Sequence, residues 1–136
     1  MAAVMDASFA ATLFLPDESS ARSSECFAET ASNGIIAPAL WQVEVTNIVV
    51  MAHRRKRIST VVIGQILEII DRLPVVLEPV LTPGQRGRVA NIAVSHRLSA
   101  YDAVYLELAI RRGFDLMTLD SALAKTARTI GVNVVA

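Results

Sequence analysis

Four carboxylates stand out in this chain because their surroundings offer them no counter-ion. Asp6 ends the apolar run in "MAAVMDASFA", and no Lys or Arg occurs before Arg22. Glu44 is set in "WQVEVTNIVV"; on a helix its neighbours one turn away are Leu40, Trp41, Asn47 and Ile48, none of them cationic. Asp102, in "LSAYDAVYLELAI", faces Leu98, Ser99, Tyr105 and Leu106 by the same rule, and Asp120 follows the apolar "LMTL". A buried carboxylate without a partner costs several kcal/mol or takes up a proton. Singly, each has an ordinary explanation. Asp6 and Asp120 fit helix N-caps, Asp102 fits the acid of a capping box opened by Ser99, and Glu44 fits a partly exposed stripe with Asn47 and Met51. Together they ask for more. Carboxylates converging to ~5 Å repel by roughly 3 kcal/mol per pair at an effective dielectric of about 20. A bound cation relieves that repulsion, and an all-oxygen acidic site suits Mg²⁺ or Mn²⁺.

Acids so far apart in sequence meet only if the chain keeps returning to one rim. Residues 3–6 read as a strand, followed by a helix over about 8–15 that Pro16 stops. "DESSARSSECFAETASNG" reads as a polar-faced helix ended by Asn33 and Gly34. A buried strand over 35–37 follows, and Pro38 opens a long helix through "ALWQVEVTNIVVMAHRRKR". Another helix covers about 59–73, ended by Pro74. Residues 75–80 read as a third strand, and "TPGQRGRV" as a turn-rich connection into the helix "VANIAVSHR". Ser99 starts "SAYDAVYLELAIRR", closed by Gly113. A strand over 115–119, the helix "SALAKTARTI" and a last strand "VNVV" complete the chain. Strands alternating with helices imply an α/β fold with a mostly parallel sheet covered on both faces. Ligands of such sheets bind outside the carboxyl ends of the strands, where Asp6 and Asp120 fall.

The 136 residues suit one domain over 1–136. The hydrophobic fraction is 53% and mean hydropathy +0.46, which asks for a large core and a partner surface. No uncharged apolar stretch is long enough for a membrane span. The opening segment lacks a basic start and carries Asp6 within its apolar run, so it reads as no signal peptide and the expected location is cytoplasmic. Cys26 is the only cysteine, and His53 and His96 sit in no metal-binding frame. Charge balances at 13 basic and 13 acidic residues, but unevenly: "HRRKR" places Arg54, Arg55, Lys56 and Arg57 in one block. That block is either a solvated helix end favoured by the helix dipole or a contact for nucleic acid.

Four segments of this chain, in order, resemble the PIN-domain ribonucleases, specifically the VapC-type toxins of bacterial toxin–antitoxin pairs. "VMDASFAATLFLPDE" resembles the family's opening strand and helix, with Asp6 and Ser8; "EVTN" carries Glu44 and Asn47; "LSAYDAVYLELA" carries Asp102; "LMTLDSALAKTARTIG" carries Thr118 and Asp120. The resemblance implies a PIN-like three-layer α/β/α fold around a five-stranded parallel sheet of order 3-2-1-4-5. It implies Mg²⁺-dependent endoribonuclease activity, with Mn²⁺ as the other suitable ion. Asp6 and Asp102 would be the principal ligands, Asp120 would complete the cluster, and Glu44 would orient or deprotonate the attacking water. Ser8, Asn47 and Thr118 would hold waters and the scissile phosphate. It further implies a homodimer and a small cognate antitoxin of VapB type. That partner is expected to dock an apolar helix on "FAATLFL" and "ALWQVEVTNIVV" and to point a basic side chain at the acids.

Two other readings stay open on the residues. One is a catalytically inactive PIN-like interaction module whose acids are caps and whose apolar surplus covers a partner. The other is a Mg²⁺-dependent phosphatase or receiver-type domain, which fits less well. Ser8 stands where the phosphatase wants a second Asp, and "VVLEPV" lacks the receiver's Asp.

Overall fold

The computed structural model describes residues 2–136. Five parallel strands form one sheet in the order β3-β2-β1-β4-β5: β1 Ala3–Met5, β2 Ile35–Ala37, β3 Val75–Leu77, β4 Asp115–Met117 and β5 Val134–Val135. Helices flank it as α1 Ala7–Phe14, α2 Ala21–Ala31, α3 Trp41–Arg54, α4 Thr60–Arg72, α5 Pro83–His96, α6 Ala100–Arg112 and α7 Ser121–Thr129, with a 3-10 turn at Pro16–Glu18. The expected three-layer PIN-like α/β/α architecture and strand order are therefore found. β1, fully buried, lies between β2 and β4, with Ala3 opposite Ile35 on one side and Asp115 on the other. Continuous apolar strands such as "AVM" and "IIA" are what a sheet covered on both faces requires.

The helices divide into two packed groups. α1 touches α2, α3 and α4, while α5 pairs with α6, which lies against β1 and β4. α1 is short and apolar on nearly every side, and Phe9, Ala10, Ala11 and Phe14 all lie in the core. This corrects the expected docking face: "FAATLFL" is consumed by the protein's own interior. Open apolar surface lies instead on α3 and α4, at Val43, Val50, Val61 and Ile69.

The strands are shorter than their sequence pattern suggests. β3 stops at Leu77, with one further ladder-like bond from the Glu78 N–H to the Ala37 carbonyl, before Pro79 removes a donor. β4 leaves the sheet at Thr118, which frees that side chain to turn toward β1. α3 begins at Trp41, three residues after Pro38. The largest difference is α5, which takes in most of the expected turn. Thr82 caps it in a reciprocal box with Gln85, and Pro83 sits at its first turn, where its missing N–H costs nothing. These start signals outweigh Gly84 and Gly87, each costing about 1 kcal/mol relative to Ala in a helix.

Candidate functional site

Asp6 follows the central strand directly, and its backbone N–H bonds to the Met117 carbonyl at 3.0 Å, which ties it to the end of β4. Its carboxylate caps α1 and is 5% exposed. Oδ1 accepts from Ser8 Oγ at 2.7 Å and from the Phe9 N–H at 2.9 Å. Oδ2 accepts from Thr118 Oγ1. Each hydroxyl is itself polarised by a backbone donor, the Leu119 N–H to Ser8 Oγ and the Asp120 N–H to Thr118 Oγ1, both at 3.0 Å. Burial still raises the Asp6 pKa; the Thr118, Phe9 and Ser8 bonds oppose this, and Asp120 adds to it.

Glu44 stands in the first turn of α3, half-buried, with Oε1 accepting from the Tyr105 hydroxyl. Desolvation raises its pKa, the Tyr105 bond lowers it, and the charges of Asp102 and Asp6 raise it further. Asp102 lies in the first turn of α6 and is raised by partial burial, then by Asp120, with the Ser99 hydroxyl opposing. The expected capping box is half made. Asp102 N donates to Ser99 Oγ at 3.1 Å, and among the described residues no return bond to the Ser99 N–H is made. Asp120 is exposed and caps α7 through the Leu123 N–H at 2.9 Å.

So the four acids are electrostatic neighbours, with Asp6, Glu44 and Asp102 each feeling at least one other. Among the described residues, none of the four lies in a salt bridge. The convergence is looser than expected, however: no three of the described His, Cys, Asp and Glu side chains come close enough to hold one ion together. Local donors explain this, since Asp6 and Asp120 turn to helix N-termini and Glu44 turns to Tyr105. In charge the donor set fits a divalent cation, being carboxylate-only, crowded and unneutralised. Mg²⁺ is usually held directly by one or two carboxylates with water in its remaining positions, so it needs no cluster of three.

The supporting residues differ from expectation in two ways. The Ser8 and Thr118 hydroxyl protons are spent on Asp6, which leaves neither free as a donor to a phosphate. Tyr105, on sequence only a helical neighbour of Asp102, belongs to the site as well. It is buried, and desolvation and the adjacent Glu44 carboxylate hold its phenol far above the usual range, so it remains a donor. The available signal was its spacing, i+3 from Asp102 on one helix face.

A cavity of about 460 Å³ runs from Ser8 and Leu119 past Asn47 and Met51 to Arg55 and Arg57. It reaches from Ser8, which bonds to Asp6, to the basic end of α3, and none of the four acids lines it. Within that block Arg57 is already engaged, 2.7 Å from Asp17 and 2.9 Å from Glu18, whereas Arg54, Arg55 and Lys56 are exposed.

The raised carboxylates give a signed pH dependence. In metal-free protein, an acid whose native pKa exceeds its unfolded value contributes stability that is present below the unfolded pKa and lost as pH rises through the native one. The Asp6→Asn variant has no such loss at that position. Its melting temperature minus that of the wild type, measured in EDTA, should therefore be larger at about pH 8 than at about pH 5. An equal difference at both ends means that burial does not raise Asp6.

Among known structures, PAE2754 from Pyrobaculum aerophilum superposes with a TM-score of 0.69 at 20% identity, over 98% of this chain and 83% of that one. FitAcB from Neisseria gonorrhoeae does so with a TM-score of 0.70 at 12% identity, over 98% and 96%. FitAB bound to the IR36 DNA fragment gives 0.64 at 14% identity, over 98% and 93%. No curated protein matches in sequence. The family model of the PIN domain matches residues 3–129, a span that takes in all four acids and the whole sheet up to β5. With sequence profile and strand order in agreement, the chain belongs to the PIN domain family.

Proposed function

We propose that this protein is a metal-dependent endoribonuclease of VapC type, the toxin of a toxin–antitoxin pair. PIN domains are generally nucleases, and the observation that carries the proposal here is the set of four carboxylates without a cationic side-chain partner at the carboxyl rim of the sheet. Asp6 and Asp102 would hold the cation, Mg²⁺ or Mn²⁺, and Asp120 would complete the acidic cluster. When bound, the ion activates water and offsets the charge that builds on the phosphate. Glu44 orients the attacking water and accepts its proton, for which a raised pKa is an advantage. Ser8, Thr118 and the Phe9 N–H hold Asp6 in one orientation, so no reorganisation is needed during reaction. Asn47 and Arg55, lining the cavity beside the acids, contact the RNA backbone, with Arg54 and Lys56 adding charge. Arg57 instead fastens the 3-10 turn to the end of α3.

The partner proposed is a small antitoxin whose apolar helix lies on the open faces of α3 and α4, and whose arginine tail competes with the cation for carboxylate oxygens. The likeness to FitAB bound to DNA favours a partner with a DNA-binding half. Among the described residues no helix is long and apolar enough to cross a membrane.

The decisive experiment is RNA cleavage by the purified chain with and without EDTA. Cleavage should vanish in EDTA and return with excess Mg²⁺ or Mn²⁺, and KM should rise with salt as phosphate contacts are screened. EDTA-resistant cleavage sinks the metal reading. No cleavage of any RNA by folded, metal-loaded protein favours the interaction module.

A further inference from the structure

The carboxyl rim carries a second cavity, apart from the one that reaches Arg55. About 320 Å³ in volume, it opens between the connections that leave β2 and β3. Its walls include Pro38, Leu40, Val80, Leu81 and Val104, and its one charged side chain is Arg86. That size falls within the range of small-molecule pockets, about 300–1,000 Å³. None of the four acids lines it, but two of its walls are tied to them. The Leu40 carbonyl accepts the Glu44 N–H at 3.1 Å, and Tyr105, next in sequence to Val104, donates its hydroxyl to Glu44 Oε1. Leu40, Glu44 and Asn47 follow at spacings of four and three, so they share one face of α3 over about 10 Å of its axis. Leu40 lines this cavity and Asn47 the other, which puts Glu44 between the two. Around α6, at about 100° per residue, Tyr101 falls between Val104 and Asp102.

Two side chains here are unspent. Arg86 is exposed and, among the described residues, lies in no salt bridge. It stands in the first turn of α5, where the helix dipole disfavours a cation, so helix stability does not account for it. Tyr101 is 63% exposed, an aromatic ring in water beside an acid. We propose that this cleft is a nucleotide subsite for single-stranded RNA: an unstacked base enters between the two connections, Arg86 pairs with its phosphate, and Tyr101 stacks on the neighbouring base. This rests on the ribonuclease reading above and gives it a substrate class, unpaired RNA. The acids repel phosphate, so a strand that crosses the rim needs a cation on each side; Arg55 supplies one and Arg86 the other. Apart from Arg86, the side chains lining the cleft are apolar. They take a base by its faces and leave its edges unread, so the subsite selects for an unpaired strand and not for a particular base. A paired base has its faces buried in the stack and does not enter.

The test is a fluorescence-anisotropy titration of the full chain with an end-labelled oligouridine in EDTA, where binding is read without cleavage. The wild type should bind the single strand about tenfold tighter than an RNA duplex of the same length, the gain expected from one stacked base. Arg86→Gln should lower the slope of log affinity against log salt by about 0.7, the share of one single-strand phosphate. Arg128→Gln, in the last turn of α7, should leave that slope unchanged. Tyr101→Ala should weaken binding about tenfold, and Tyr101→Phe, which keeps the ring, should not. All three side chains are exposed, so melting temperatures should not move. Four results each overturn the subsite and leave the ribonuclease reading standing. They are a slope unchanged by Arg86→Gln, an equal fall in slope from Arg128→Gln, wild-type binding by Tyr101→Ala, and a duplex bound as tightly as the single strand. A wild type that binds no RNA overturns both.

Discussion

Asp6→Asn should lower RNA cleavage by about a thousandfold or more, the rate equivalent of roughly 4 kcal/mol of lost charge stabilisation. The substitution keeps the volume and removes the charge that the cation needs. The structure also shows why the fold should survive it. The Asn carbonyl oxygen can still accept from Ser8 Oγ and the Phe9 N–H, so the α1 cap persists. The new amide nitrogen then faces Thr118 Oγ1, which already accepts from the Asp120 N–H and has a second lone pair free for it. The displaced hydroxyl proton has Ser8 Oγ within 3.3 Å. With repulsion from Asp120 and the cost of a buried charge both removed, the metal-free variant should melt no lower than the wild type. Single-turnover cleavage and thermal melts in EDTA check the two halves. A folded Asp6→Asn that still cuts RNA at the wild-type rate would falsify the metal-site reading.

The parallel sheet and the placing of the acids were legible because both follow from alternation, whereas the strand order 3-2-1-4-5 came from the resemblance to the PIN-domain ribonucleases. Strands that recur between helices leave few topologies, and an acid straight after an apolar run falls at a strand's carboxyl end. What the acids do locally was less legible. Asp6 and Asp120 each fit a cap or a ligand on sequence, and the structure shows both capping; the second oxygen of Asp6 takes the Thr118 hydroxyl, while that of Asp120 makes no bond among the described residues. No pattern in sequence separates those roles, because both need a carboxylate in the same place. Tyr105 was hidden for a related reason. Its ring belongs to the core and its hydroxyl to the site, and apolar periodicity registers only the ring. The start of α5 was less legible because the glycines of "TPGQRGRV" read as a turn, while the Thr82 and Gln85 box and packing against α6 together exceed their cost. Apolar residues in excess of one helix face suggest a docking surface on α1, yet its Phe9, Ala10, Ala11 and Phe14 are all buried. A short helix enclosed by three others has no such face.

Expression of this chain alone in a bacterium should arrest growth, and Asp102→Asn should restore it. Arrest follows if the site is complete, since RNA turnover by even a modest nuclease outpaces resynthesis of the transcripts it cuts. Asp102 is the acid best suited to the comparison, because less of the fold depends on it. Its backbone N–H, not its carboxylate, makes the bond to Ser99 Oγ, so Asn leaves the start of α6 capped. It is also only partly buried, so the amide keeps contact with water where a buried one would not. Removing its charge should in addition lower the proton affinity of Glu44, on which Asp102 exerts the stronger of the two carboxylate repulsions. A variant that is soluble, folded and harmless then separates catalysis from mere binding, since an interaction module keeps its docking surface on α3 and α4 intact in Asp102→Asn. Co-expression of an antitoxin should protect cells carrying the wild type and have nothing to protect in the variant. Equal arrest by both proteins would place toxicity in the surface; equal growth at confirmed soluble expression would leave the interaction module as the better reading.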